Sequence, residues 1–198
     1  MKTTHLHKTL GLILLTPLLL WAVTGFIFLT KPGYSDAYER LTPKRYPFDK
    51  TVVFDGTTSW DEARLLKTII GYHLIVLSEG QWQHLDPFTL AVKPQASKAH
   101  IQALVADATT INSVRYGNIT AIINNEIHTD TGVVISLDWK TLSLQQTGTD
   151  TRLINTLYRI HYLQWLSSAG INKVLGILGL LALTLLSILG LLSYLKRR

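Results

Sequence analysis

Two uncharged, strongly apolar runs lie near the ends of this 198-residue chain, at residues 10–29 and 174–195. As an α-helix each is long enough to cross a hydrocarbon core of about 30 Å, because a helix rises about 1.5 Å per residue. The rest of the chain has to fold around that constraint. With 47% hydrophobic and only 16% charged residues, and a mean hydropathy of +0.21, the chain is also too apolar for a disordered protein or an ordinary water-soluble domain. The runs hold the excess.

The formal charge of +6 suggests nucleic acid only if it is spread over one soluble face, and it is not. The tails carry Lys2, Lys8, Lys196, Arg197 and Arg198 and no acid, whereas residues 31–173 hold 14 basic and 13 acidic residues, a net +1 over 143 positions. No nucleic-acid partner is therefore expected. Acid-free basic tails beside two spans follow the positive-inside rule, which puts both termini in the cytoplasm and the middle across the membrane. The first run continues through Trp21 and Phe26-Ile27-Phe28 without an A-x-A-like site, so it reads as an uncleaved anchor and not as a signal peptide. The chain has no cysteine, which removes disulfides, thiolate metal sites, c-type haem attachment and cysteine nucleophiles together.

At 100° per residue, Gly176, Gly179, Ala182, Ser187, Gly190 and Ser193 share one face of the second span, and Gly11, Ala22 and Gly25 share a stripe of the first. Small side chains let helix backbones approach closely, either within one chain or between two copies, and the spacing fits both. Pro17 leaves one carbonyl of the first span without its helical donor and marks a kink.

In the middle, a proline- and aromatic-rich connector without a sustained period precedes two similar stretches. Ser59-Trp60-Asp61-Glu62 has capping-box spacing, and Ala63, Leu65, Leu66, Ile69 and Ile70 follow, which predicts a helix over 59–70. Short strands are expected at 73–77, 81–85 and 89–93. A second helix is expected at 97–108, then strands at 114–116, 119–124, 132–137 and 141–145. The stretch 152–166, with Leu153, Leu157, Tyr158, His161 and Trp165, suits an amphipathic helix lying at the membrane surface. Leu85-Asp86-Pro87-Phe88-Thr89-Leu90 and Leu137-Asp138-Trp139-Lys140-Thr141-Leu142 both read L-D-x-x-T-L, with the aspartates placed for turn hydrogen bonds. No paired-carboxylate, Ser/His/Asp or phosphate-loop signature stands out, so no catalytic residue is named.

Three features together resemble the PepSY-associated transmembrane family. His7-Lys8-Thr9-Leu10-Gly11-Leu12 runs into Trp21-Ala22-Val23-Thr24-Gly25, similar to the family's H-x-x-L-G-L opening and its W-x-x-T-G. Arg159-Ile160-His161-Tyr162-Leu163 precedes a glycine-rich last span and a basic tail. The doubled L-D-x-x-T-L unit resembles the D-x-x-T-G turn of PepSY modules, with Leu90 and Leu142 where glycine is usual. The resemblance implies an α+β extracytoplasmic domain of two PepSY-like helix-plus-antiparallel-strand modules (59–93 and 94–151), anchored by two transmembrane α-helices. Around these modules come cytoplasmic tails (1–9 and 196–198), spans (10–29 and 171–195), a connector (30–58) and an interfacial helix (152–170). It also implies a bacterial inner membrane with the central domain periplasmic, and a link to iron handling. Larger members have four spans and are associated with haem-dependent ferric-siderophore reduction, whereas this chain has two.

With seven histidines and no cysteine, a haem or metal ligand here is expected to be histidine, and axial imidazoles suit haem iron. The family match singles out His7 and His161. They lie about one bilayer thickness apart, roughly 30 Å, so one chain cannot clamp one haem between them, whereas a symmetric homodimer pairs each with its mate. His73, His84, His100 and His128 have no spacing that specifies a site and read as ordinary strand or helix residues. Two functions remain open. The leading reading is a non-enzymatic module in the lipid bilayer that presents a periplasmic domain to a protein partner or peptide. The alternative is a dimeric haem b-binding electron-transfer subunit.

Overall fold

The computed structural model describes residues 2–54 and 59–195, with side chains from His5 onward. The basic triplet Lys196, Arg197 and Arg198 lies outside the described residues. The chain divides into two compact units, one made of the segments up to Gly33 and from Thr151 on, the other of Tyr34–Asp150.

The first unit holds the two long helices, α1 (Lys2–Thr30) and α6 (Ala169–Leu195), which pack on one another. Both are apolar all round, a pattern that suits burial or lipid and not a water-facing surface. Their outer side chains are open, with Leu12 76% and Leu29 82% exposed, so in water a large apolar surface would stay uncovered. α1 continues through Pro17.

The second unit starts with a short helix, α2 (Tyr34–Ala37), and the connector that follows is woven into it. Ala37 and Leu41 are buried, the Tyr46 amide donates to the Lys67 carbonyl at 2.8 Å, and Gln146 Nε2 donates to the Ala37 carbonyl at 3.0 Å. Strands β1 (Glu62–Thr68), β2 (Gly71–Ser78) and β3 (Gln81–Leu85) form an antiparallel meander. Helix α3 (Lys98–Thr109) follows, then a 3-10 turn and a single helical turn, α4 (Ser113–Tyr116). A second meander runs β4 (Ile119–Ile123), β5 (Glu126–Thr129), β6 (Val134–Asp138) and β7 (Ser143–Thr147), and α5 (Thr149–His161) leads out of it.

One helix serves both sheets. Ile101, Leu104 and Val105 of α3 share a buried core with Ile75 of β2 and with Ile127, Ile135 and Leu144 of the second meander. The helix predicted over 59–70 is therefore a strand. β2 is buried along most of its length and needs an edge partner for its backbone groups, and Glu62–Thr68 pairs with it in full register, from Glu62 opposite Leu77 to Thr68 opposite Gly71. The expected strand at 89–93 reduces to one bridge between Leu85 and Val92, and the expected strand at 114–116 is α4. Helix 97–108 is present, with the Ser97 side chain capping the His100 amide. Strand β5 was not expected. It follows a two-residue turn in which Asn124 and Asn125 both take positive φ, 46° and 67°, the geometry that matches strand twist in a hairpin.

The two L-D-x-x-T-L turns share one geometry. Asp86 Oδ1 accepts from the Phe88 and Thr89 amides at 2.9 and 3.1 Å, and Asp138 Oδ1 accepts from the Lys140 amide at 3.0 Å. Leu90 (φ 56°) and Leu142 (φ 51°) then occupy the left-handed region, where leucine is strained and glycine is not.

Candidate functional site

His161 is the last residue of α5, and its ring sits on one stripe of α1 built at the spacing i, i+3, i+4, i+7. Trp21 lies 6.4 Å away, ring centroid to ring centroid. Thr24 Oγ1 is 2.7 Å from His161 Nδ1. Phe28 meets the ring edge-on at 5.0 Å and stacks on Tyr158 at 4.4 Å. A Cβ on Gly25 would stand 3.8 Å from His161 Cε1, so glycine leaves the ring an ordinary contact distance. Trp21, Thr24 and Gly25 of the W-x-x-T-G run thus all face this imidazole.

Counting hydrogens assigns the proton on the ring. Thr24 Oγ1 also lies 2.6 Å from the Leu20 carbonyl, a distance that requires the hydroxyl hydrogen between the two oxygens. Toward His161 the hydroxyl can then only accept, so Nδ1 carries the proton and Nε2 keeps its lone pair.

His7, near the other end of α1, reaches the same state by a different route. Its Nδ1 lies 3.2 Å from the Leu186 carbonyl of α6, which can only accept. A Cβ on Gly190 would stand 3.1 Å from His7 Cε1, so this glycine is a close fit to the ring. Among the described residues, neither Nε2 makes a hydrogen bond. His7 and Thr24 are seventeen positions apart on α1, about 26 Å of helix.

The small residues singled out in the sequence divide between contact and exposure. Gly11 faces Leu186 at 3.8 Å, Gly179 faces Leu163 at 3.1 Å, and Gly25 and Gly190 face the two histidines. Gly176 has open space within 4 Å, Ala182 is half-buried, and Ala22 and Ser187 are exposed, the latter bonding its own helix at Leu183. An apolar cavity of about 170 Å³ opens between Pro17, Trp21, Leu163, Trp165, Leu175 and Gly179. The indole nitrogen of Trp21 is buried without a partner among the described residues.

In the second unit the sequence reading missed a pair. His73 Nδ1 and His84 Nε2 are 2.9 Å apart on the hairpin β2–β3, and both side chains are buried. His84 Nδ1 bonds the Trp139 carbonyl at 2.7 Å, and His73 Nε2 bonds Thr68 Oγ1 at 2.9 Å. Burial, with the Lys93 charge adding to it, pushes His73 down to about 3 and His84 down to about 4, so both are neutral at pH 7. The signal was available: a turn at Glu79-Gly80 places residue 75 opposite 84, and 73 and 75 share a face. Beside His84 an open groove of about 570 Å³ runs past Trp82, Gln95, Asn125 and Trp139. His100 and His128 are unremarkable in placement, at the N-terminus of α3 and on β5.

Two apolar helices bracketing an α+β domain of antiparallel meanders define a membrane protein with a helix-anchored folded domain. The family described as "PepSY-associated TM region" matches residues 2–197, and the chain belongs to it. Comparison with curated proteins and with solved structures returned no match.

Proposed function

We propose that the protein is a haem b-binding electron-transfer subunit that works as a homodimer in the bacterial inner membrane. In this reading both termini are cytoplasmic and the α+β domain is periplasmic. The observation that carries the proposal is the shared protonation of two imidazoles that pack on the apolar helices, His7 of α1 against α6 and His161 of α5 against α1. His7 and His161 each spend Nδ1–H on a protein acceptor and keep the Nε2 lone pair, which is the tautomer and outer-shell support that a metal-bound imidazole uses. Gly190 and Gly25 leave room for the rings on the facing helix. These are features of the donor set itself, and they fit an axial ligand.

His7 and His161 lie at different levels of one copy, so each haem would take His7 from both copies or His161 from both. Bound there, haem supplies one-electron ferric/ferrous chemistry at two depths. The protein's own part would be to keep Nδ1–H of each ring occupied, leaving Nε2 as the donor, and at His161 to exclude water with Trp21 and Phe28. The test is a reduced-minus-oxidised visible spectrum of the detergent-purified protein from haem-replete cells, taken with its mass in detergent. A haem b signal on a dimer supports the proposal, and a colourless dimer or monomer refutes it.

A second reading is favoured by one observation, the groove beside His84. Its aromatic walls at Trp82 and Trp139 and its amides at Gln95 and Asn125 suit a protein partner or peptide held by the domain. In that reading the domain regulates or docks an iron-handling membrane system, and His7→Ala and His161→Ala leave it active.

A further inference from the structure

We propose that Thr24 is a positioning residue: it fixes the Nδ1–H tautomer of His161 and sets how strongly His161 Nε2 can donate to a metal. The part about donor strength rests on the haem reading above, and the part about the tautomer does not.

The argument begins with what a threonine does inside a helix. Its hydroxyl reaches back to the carbonyl four residues earlier, as Thr30 does to Phe26 at 3.0 Å and Thr184 to Leu180 at 2.9 Å. Thr24 does the same to Leu20, at 2.6 Å. A hydroxyl whose one hydrogen is spent on its own helix is an acceptor only toward any neighbour. Thr24 is 2% exposed, so no bulk water competes for that lone pair, and the neighbour that reaches it is His161 Nδ1 at 2.7 Å. Thr68 is the contrast within the same chain. It lies in a strand and accepts from the Ile70 amide at 3.2 Å, and it donates its own hydrogen to His73 Nε2, because the neutral His73 ring holds its proton on Nδ1 toward His84. The two threonines face their histidine nitrogens in opposite roles: the hydrogen of Thr24 is committed to its own helix, and that of Thr68 is free to be given to His73.

A proton held on Nδ1 by a short bond to an acceptor makes the opposite nitrogen a better electron donor, as outer-shell partners of metal-bound histidines do. Thr24 therefore acts on His161 Nε2 from the far side of the ring, without touching whatever Nε2 binds. Trp21 and Phe28 confine the ring plane.

The test uses the full chain with ¹⁵N-labelled histidine in detergent, free of haem, at about pH 8, where an ordinary imidazole is neutral. Long-range ¹H–¹⁵N spectra report which nitrogen of His161 carries the proton. The expected result is Nδ1–H in the unsubstituted protein and in Thr24→Ser, with the Nε2–H form appearing in Thr24→Val, which keeps the shape and loses the acceptor. Nε2–H in the unsubstituted protein overturns the proposal without need of any variant, and so does an unchanged tautomer in a folded Thr24→Val protein. On loading with haem, Thr24→Val is expected to bind about 10–100-fold more weakly and to show a raised midpoint potential, with Thr24→Ser restoring both. If the tautomer result holds and the protein takes up no haem, the haem reading falls and the seat built by Thr24 stands.

Discussion

The bond between His73 Nδ1 and His84 Nε2, 2.9 Å long and buried, has one direction. The Trp139 carbonyl can only accept, so His84 carries its proton on Nδ1. His84 Nε2 must then accept from His73 Nδ1–H, and His73 Nε2 accepts from Thr68. With both imidazoles neutral every bond in the chain pairs one donor with one acceptor, whereas a proton on His84 Nε2 would set it against His73 Nδ1–H. The chain of bonds joins the first meander to the second L-D-x-x-T-L turn, so protonation strains the joint between the two meanders.

This sets a pH dependence. Both folded-state values are depressed, to about 3 for His73 and about 4 for His84, from an ordinary 6.5. The unfolded chain therefore binds protons at a pH where the folded chain does not, and stability rises with pH in that window. The contribution is complete above about pH 6.5 and is lost as pH falls toward 4, with a slope of up to about 1.4 kcal/mol per pH unit for each histidine. Thermal unfolding of the detergent-solubilised protein between about pH 7.5 and 4.5 is expected to show Tm falling through this range, ahead of carboxylate titration. A flat Tm across it contradicts the neutral pair.

Leu90 and Leu142 sit in the same strained conformation and differ in burial, which separates two effects. Leu90 is 38% exposed and Leu142 is 4% exposed. Relief of a left-handed leucine is worth about 1–2 kcal/mol, so Leu90→Gly is expected to leave Tm unchanged or raise it. Leu142→Gly removes a core side chain at a cost of about 3–5 kcal/mol, which exceeds the relief and lowers Tm by several degrees. Equal effects at the two sites would mean that the turn geometry differs between them.

The two glycines beside the membrane histidines also differ. A methyl at Gly190 would meet His7 Cε1 at 3.1 Å, whereas one at Gly25 would meet His161 Cε1 at 3.8 Å. Gly190→Ala is therefore expected to move the His7 ring and to lower the haem content about two-fold by emptying that level. Gly25→Ala is expected to bind as the unsubstituted protein does. Absorbance at the Soret band per chain reads both, and identical spectra for the two variants contradict the seating described for His7.

What could be read from sequence depended on whether a residue's environment is local. The spans, the Ser97 cap and the Asp86 and Asp138 turns are set within a few residues, and all were legible. The segment 59–70 was not, because Ala63, Leu65, Leu66 and Ile69 fit a helical stripe as well as an edge strand, and the partner that decides is β2. Strand β5, Glu126–Thr129, was hidden because it is four residues long with one apolar side chain, Ile127, although Asn124-Asn125 before it is where the chain turns. His7 and His161 were named from the family motifs, yet their second partners, Leu186 and Thr24, lie 179 and 137 residues away. That distance is why the tautomers needed the fold.

The most direct measurement is the haem-to-chain ratio of the purified protein, His7→Ala and His161→Ala, each in detergent with its mass determined. The account predicts a dimer with one haem per chain, falling to half in each variant as one level of the dimer empties. A colourless protein from haem-replete cells, or a ratio unchanged in both variants, contradicts it.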